Sequence, residues 1–381
     1  MSAVLTRSII FIGVGLCGCR QVKELMDRGY EGFLLNTSET DFQLIGEVPE
    51  HRKYKIPDAD GVDKNRELAL ELFGNRLEEI STYILKANSS FQHYVFVFSA
   101  GGGSGSGGSP ALAQHFGMHF DEEEKGKTVS IIATLPDEKD GWIAINNAKA
   151  CIRDIETQCD RIKSKIYLDN SQMDKFSINA QLVDLIDGLM NLPNVDEEID
   201  TKVLEREGMK QSDDKEALAL WRTEGCVNMA IINQEDSNKE IVEPIVFMPQ
   251  YNKRPLKMAV SISKGAKIDA PLVRQELINV LGHNGSDIKS GHNETGLSYA
   301  YSFGLKAPKS MMDKLDAMLT VIKNCVAKED EGEEINFEFE SVSVTDIFGT
   351  KVKTTTTTKG SLFGNSKGSL FGKSTRFGAK K

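Results

Sequence analysis

The sequence predicts an α/β protein: a parallel-sheet domain, a long central helix, a smaller α+β C-terminal domain and a disordered basic tail. Three observations lead there. Short apolar runs alternate with helix-period segments through the first half of the 381 residues. A glycine–serine run, SAGGGSGSGGSP (residues 99–110), stands between a strand and a helix rather than between two domains. Beyond Asp346 every charged side chain is Lys or Arg.

The elements follow in order. SIIFIGV (8–14) is a continuous apolar run, as a strand buried on both faces requires. It lacks a signal-peptide cleavage pattern, so strand one is the better reading of the N-terminus. A helix is expected from about Gly18 to Arg28, then a strand at FLLN (33–36) and a helix over 65–87. HYVFVFS (93–99) reads as a strand, PALAQHFGMHF (110–120) as a helix opening on Pro110, and TVSIIATL (128–135) as a strand. A helix over 142–162, a short strand at KIYL (165–168) and a long helix over 175–191 close this half. Alternation of this kind is the signature of a parallel sheet covered by helices.

A charged, loopy stretch follows at about 196–216. Strands at 256–263 and 297–305 are each followed by a helix, at 270–282 and 308–327. An acidic run then passes into period-2 alternation over 329–348, read as an edge strand. The expected division is therefore 1–174, a central helix 175–191, connecting helices 192–219, a second domain 220–348 and a tail 349–381. The tail carries KGSLFG at 359–364 and again at 367–372. It is too rich in Thr, Ser and Gly to bury a core.

Composition sets limits. Hydrophobic residues make up 40% and charged residues 27%, ordinary for a soluble globular chain, and the net charge is -10. The body should not bind nucleic acid by bulk electrostatics. No apolar run reaches the length of a membrane-spanning helix, so no membrane insertion is expected. Six cysteines without a paired framework fit reduced thiols and a cytoplasmic setting. Cys17 and Cys19 form C-x-C with no second pair nearby, and His115 and His119 stand i, i+4 without an intervening glutamate. Neither makes a zinc motif, and no metal site of the chain's own is assigned.

The glycine run is where chemistry enters. Joining a strand end directly to a helix start, it gathers free backbone N–H groups and the positive end of a helix dipole. Glycines let the backbone approach a phosphate closely, and Ser104 and Ser106 add hydroxyl donors. There is no G-K-[ST] ending, so it is not a P-loop. A second loop, GVGLCG (13–18), also links a strand to a helix. Alone it matches G-x-G-x-x-G and suggests a nicotinamide-dinucleotide oxidoreductase. That reading wants an acid after strand two, where Asn36 stands. Two glycine loops at neighbouring strand ends suit one nucleotide with several phosphates.

These motifs resemble the tubulin/FtsZ superfamily of polymerising GTPases. GGGSGSG (101–107) looks like the family's G-G-G-[ST]-G-[ST]-G signature. GVGLCGCR (13–20), LLNTSETDFQL (34–44), LPDEKDG (135–141) and YLDN (167–170) resemble its other nucleotide loops, and GVDKNRELALEL (61–72) resembles the one that senses the γ-phosphate. The resemblance implies a GTP-binding domain that takes GTP or GDP with Mg²⁺. The residues it places on the nucleotide are Gly15, Leu16, Cys17, Gly18, Arg20, Asn36, Gly61, Gly102, Gly103, Ser104, Gly105, Ser106 and Gly107. Asp140 would take the ribose, with Asn170 and Asn179 at the guanine.

It further implies a longitudinal homopolymer in which the next subunit completes the site. The matching stretch is LPNVDEEID (192–200). Asn194 and Asp196 align with the family's NVD. The second acid should fall at Ile199, so Asp200 beside it is taken to position water, and Asp196 to polarise it or hold Mg²⁺. Leu16, Cys17 and Cys19 replace glycines of FtsZ, Ala144 replaces an arginine, and the spacing from Asn170 to residue 194 is shorter. With the tail, this looks more like the plasmid and phage relatives TubZ and PhuZ, which implies positioning or segregating DNA. An FtsZ-type cell-division scaffold is the alternative within the superfamily. The tail would reach DNA, an adaptor protein or a neighbouring filament's acidic body, or serve only as solubilising disorder. Trp142 and Trp221 are expected to be packing residues.

Overall fold

The computed structural model describes residues 3–171, 175–194, 201–232, 242–244, 255–266, 269–281 and 288–330. Along the chain come α1 (Ala3–Ser8), β1 (Ile9–Val14), α2 (Gly15–Asp27), β2 (Gly32–Asn36), α3 (Glu39–Ile45), β3 (Lys53–Lys55), α4 (Arg66–Gly74) and α5 (Leu77–Asn88). Then follow β4 (His93–Ser99), α6 (Gly103–Glu122), β5 (Thr128–Leu135), α7 (Gly141–Gln158), β6 (Ile162–Asp169) and α8 (Lys175–Met190). The remainder is α9 (Thr201–Arg206), β7 (Met209–Gln211), α10 (Asp214–Trp221), β8 (Gly225–Ile232), β9 (Val242–Pro244), β10 (Lys257–Ser263), α11 (Ala270–Leu281), β11 (Ile288–Asn293), β12 (Ser298–Leu305) and α12 (Lys309–Asp330).

One sheet runs through both halves in the order β3-β2-β1-β4-β5-β6-β8-β12-β10-β11-β7, with β9 on β8. From β3 to β8 every pairing is parallel; β12 runs antiparallel to both β8 and β10. The fold is thus the expected α/β type, a mostly parallel sheet covered by helices. The strands carry Ile, Val, Leu and Phe at consecutive positions because both faces are covered. On one face Phe96, Phe98, Phe116 and Phe120 pack with residues of α7 and α12. On the other, Phe11, Val22 and Leu25 pack with Leu182, Leu185 and Trp221 of α8 and α10. A third cluster joins β10, β8 and α11.

Strand direction fixes the crevice. The order leaves β1 toward β2 and β3 on one side and toward β4, β5 and β6 on the other. At such a reversal the connections out of two neighbouring strands leave in opposite directions, opening a cleft at their carboxyl ends. The two glycine loops follow β1 and β4.

Several expectations are corrected. The helix after β4 opens at Gly103, not at Pro110, which lies inside it. Its glycines are helical because nothing larger fits. A Cβ at Gly105 would stand 2.8 Å from the Ser99 carbonyl, and one at Gly107 2.5 Å from the Arg66 carbonyl. Close approach to β4 and α4 overrides poor helix propensity and the hydrogen bond lost at Pro110. The single helix expected over 65–87 breaks after Gly74 into α4 and α5. A short helix, α1, precedes strand one, and the helix expected to reach 162 stops at Gln158, so that β6 begins at Ile162. Trp142 is 40% exposed, with the Lys323 ammonium 5.1 Å above its ring, while Trp221 is fully buried. The expected strand over 329–348 starts where α12 still runs, and its remaining residues, like the tail, lie outside the described part.

Candidate nucleotide site

A cavity of about 470 Å³ opens where β1 and β4 end. That is within the range of small-molecule sites. One end is built from helix starts. Gly15, at φ +70°, turns the chain out of β1 into α2. A Cβ on it would lie 3.3 Å from the Gly105 amide nitrogen, so the two glycine loops touch.

The caps say what this end lacks. Ser38, Asn65 and Asp213 cap α3, α4 and α10 with side-chain oxygens. Val14, Gly102 and Asp140 precede α2, α6 and α7 and give no side-chain cap. Those three helices all begin on the cavity. Their first-turn N–H groups are left for whatever anion occupies it.

The other end carries amides. Asn170, just past β6, and Asn179, on α8, both line the cavity. Gln21, fully buried on α2, donates to Asn179 Oδ1 at 2.9 Å and to Thr134 Oγ1 at 3.0 Å. The loop bearing Asn170 is pinned by its neighbour: Lys314 Nζ on α12 donates to Asp169 Oδ2 at 2.6 Å. Burial raises the Asp169 pKa, but the Lys314 and Ser171 donors outweigh it and hold the carboxyl below its ordinary value.

Twelve of the expected contacts line the cavity: Gly15, Leu16, Cys17, Arg20, Gly61, Gly102, Gly103, Ser104, Gly105, Asp140, Asn170 and Asn179. Asp140 Oδ2 accepts from the Asp137 N–H at 3.0 Å, which anchors its carboxylate on the rim. Ser104 Oγ lies 2.8 Å from Thr37 Oγ1, joining two loops.

Four others stand behind the wall. Gly18 packs on β4, where a Cβ would meet the Val97 carbonyl at 1.9 Å. Gly107 faces α4. Ser106 turns its hydroxyl back to the Gly102 carbonyl. Asn36 shapes the next loop, accepting from the Thr37 N–H at 2.7 Å and donating to Asp41 at 3.1 Å, so Thr37 and Ser38 line the cavity in its place. Asn194 lies outside the lining, hydrogen-bonded to Asn191; Asp196 and Asp200 fall outside the described residues. Sequence reasoning missed Gln21, for which the only advance signal was a polar residue on the buried face of a helix.

Two uncapped glycine-rich helix starts facing two asparagines across a sheet reversal describe a polyphosphate end and a base end. Residues 8–177 match the Tubulin/FtsZ family, GTPase domain. The chain carries a Tubulin/FtsZ GTPase domain. The nicotinamide-dinucleotide reading of the first glycine loop is set aside, since Asn36 faces Asp41 and the second loop shares the cavity. The tubulin-like protein TubZ of Clostridium botulinum C phage is 27% identical over 278 residues, covering 65% of this chain and 75% of that protein. CetZ of Pyrococcus horikoshii is 27% identical over 203 residues, 49% of this chain and about half, 53%, of its own. Among solved structures, tail-truncated TubZ of C. botulinum phage c-st superposes with a TM-score of 0.67 at 20% identity, covering 84% of this chain and 99% of that one. A GTPγS-form protofilament of Bacillus thuringiensis serovar israelensis TubZ gives 0.64 at 15% identity, covering 86% and 94%. Members of the family are GTPases.

Proposed function

We propose that this protein is a cytoplasmic polymerising GTPase that forms dynamic tubulin-like filaments and uses them to position or segregate plasmid or phage DNA. The convergence of Gly15 with Gly105 at one end of the cavity carries the nucleotide reading. Protofilaments of a similar TubZ support the assembly reading.

The residues divide the work. The open N–H groups of α2 and α6 bind the phosphates, Asn170 and Asn179 read the base, and Asp140 holds the ribose. No group of three His, Cys, Asp or Glu among the described residues is placed to hold a metal ion. Mg²⁺ ordinarily keeps several waters and leans on substrate phosphates with one or two protein oxygens. Thr37, Ser104 and Asp63, all on the lining, fit that partial role, and the ion would neutralise phosphate charge. Hydrolysis needs an oriented water more than a strong base. Asp200 of a neighbouring subunit supplies that orientation, with Asp196 and Asn194 beside it. Completing the site between subunits couples hydrolysis to assembly.

Phosphate release measured against protein concentration, with negative-stain microscopy in GTP, GDP and GTPγS, tests this. Filaments in GTP and GTPγS, and a specific activity that climbs with concentration, are expected. A rate per subunit that is unchanged on dilution overturns it. Asp200→Ala should leave filaments that persist without turnover. Fluorescent filaments that follow plasmid or phage DNA, rather than a septum, decide the cargo.

A further inference from the structure

α12 has three polar ties to elements that border the cavity. Lys314 Nζ reaches the turn after β6, donating to Asp169 Oδ2 at 2.6 Å and to Ser171 Oγ. Asp316 pairs with Lys149 on α7. Lys323 stands 5.1 Å above the ring of Trp142, in the first turn of α7. Trp142 lies seven residues before Lys149 and Lys323 seven after Asp316, two helical turns each way, so the helices run antiparallel. α12 therefore extends from the turn that bears Asn170 toward the start of α7, where Asp140 and Ala144 line the cavity. From Lys314 to Lys323 that is about 13 Å of helix.

The ties stand on both flanks of one apolar stripe. Met311, Leu315, Met318 and Leu319 are buried in the core that α12 shares with α7. At about 100° per residue, Lys314 falls on one edge of that stripe and Asp316 and Lys323 on the other. The two edges differ in kind. Lys149 and Asp316 are largely in water, which weakens their attraction. Asp169 is 5% exposed, and its Oδ1 accepts from the Ser171 N–H at 3.0 Å and from the Ser171 hydroxyl at 2.8 Å. Without the Lys314 ammonium a carboxylate would be left buried without that countercharge, and the turn would open to hydrate it.

Asn170 sits between the two residues that Lys314 clamps, and Lys314 itself is not on the cavity lining. We propose that Lys314 is a positioning residue for base recognition: its hold on Asp169 and Ser171 aims Asn170 at the guanine, so that the docking of α12 and the preference for guanine are one coupled property. This rests on the GTPase reading above. Coupling of this kind is reciprocal, so a helix that strengthens base binding is itself held more tightly once the base is bound. The Lys149–Asp316 pair ties the same helix to α7 without touching the base turn, which makes it an internal control.

The test measures GDP and ADP affinities of the full chain, by competition against a fluorescent guanine nucleotide, for wild type, Lys314→Met, Lys314→Arg and Lys149→Met. Lys314→Met should bind GDP about tenfold more weakly and ADP with little change, so the guanine preference shrinks about tenfold. Lys314→Arg keeps a cation on Asp169 and should keep the preference. Lys149→Met should leave it as in the wild type. GDP should slow amide hydrogen exchange along α12 in the wild type and not in Lys314→Met. If Lys314→Met does not fold, Asp169→Asn, which leaves no buried carboxylate behind, should shrink the preference in the same sense. An unchanged preference in these variants, or an equal loss in Lys149→Met, overturns the role of Lys314 alone. Wild-type protein that binds neither nucleotide, or both alike, overturns the guanine reading of the site together with it.

Discussion

Gln21 and Asn179 join α2 to α8 through a buried hydrogen bond of 2.9 Å, and the same Gln21 amide reaches Thr134 on β5. Gln21 does not line the cavity, yet it holds a residue that does. Gln21 engages the Asn179 side-chain oxygen from behind, which holds the amide that the proposed base contact would use. Gln21→Leu leaves Asn179 and Thr134 without that partner at a buried position, at about 1–3 kcal/mol. The expected outcome is a GTP affinity reduced about tenfold and a smaller GTP-over-ATP preference, read by competition against a fluorescent guanine nucleotide. An unchanged preference would show that Asn179 is positioned by α8 alone.

The glycines of α6 make a prediction with an internal control. Gly107→Ala puts a methyl 2.5 Å from the Arg66 carbonyl and 2.8 Å from the Ala69 methyl. Neither neighbour is a flexible side-chain end, so overpacking should cost about 1–3 kcal/mol. Gly74→Ala, at the last position of α4, meets nothing within 4 Å and has no positive φ. It should stabilise by about 0.4–1 kcal/mol. Urea unfolding of the two variants should move in opposite directions.

The same contrast explains what was legible in the sequence. The buried strands were, because Ile9–Val14 and Tyr94–Phe98 are continuous apolar runs, and the two glycine loops located the site. The start of α6 was not: propensity and Pro110 argued for a later opening, and the close approach to β4 and α4 that favours glycine is a tertiary fact. β11 was missed because IKSGHN reads as polar. Its Asn293 is buried by donating to Ser261 across 2.9 Å, a partner on another strand. Asn36 was placed on the ligand by the resemblance of LLNTSETDFQL to a nucleotide loop, but its side chain is spent on its own loop. Gln21 depends on contacts with Thr134 and Asn179, 113 and 158 positions away, which no local pattern records.

Arg66 and Asp154 form an ion pair between α4 and α7 with both side chains under 10% exposed. Asp154 also accepts from Gln158 at 3.3 Å. Asp154→Ala strands a buried guanidinium, which should cost about 3–5 kcal/mol. Arg66 closely follows residues 61–64, which line the cavity, so nucleotide affinity should fall as well. The double change Arg66→Met with Asp154→Leu removes both charges and should recover most of the lost stability. Thermal unfolding of the three variants checks the order; a double variant no better than Asp154→Ala would mean the pair's hydrogen-bond geometry, not its charge balance, matters.

His93 opens β4 with Nδ1 2.7 Å from Thr128 Oγ1 and its ring 5.9 Å from that of Trp221. Nε2 is buried and, among the described residues, has no hydrogen-bond partner. Burial, with a smaller contribution from the Arg222 charge, pushes the pKa from 6.5 down to about 3. The folded protein therefore holds this imidazole neutral while the unfolded chain protonates near pH 6.5. Stability from this group is fully present above pH 6.5 and declines as pH falls toward about 3. The slope approaches about 1.4 kcal/mol per pH unit within that window, because the unfolded state binds one more proton. Between pH 7 and pH 5 the loss should be about 2 kcal/mol. His93→Asn keeps an acceptor near Thr128 but does not titrate. It should be less stable at pH 7, and its urea midpoint should depend less on pH than that of the wild type over this range. Parallel profiles for the two proteins would place the acid sensitivity in the carboxylates instead.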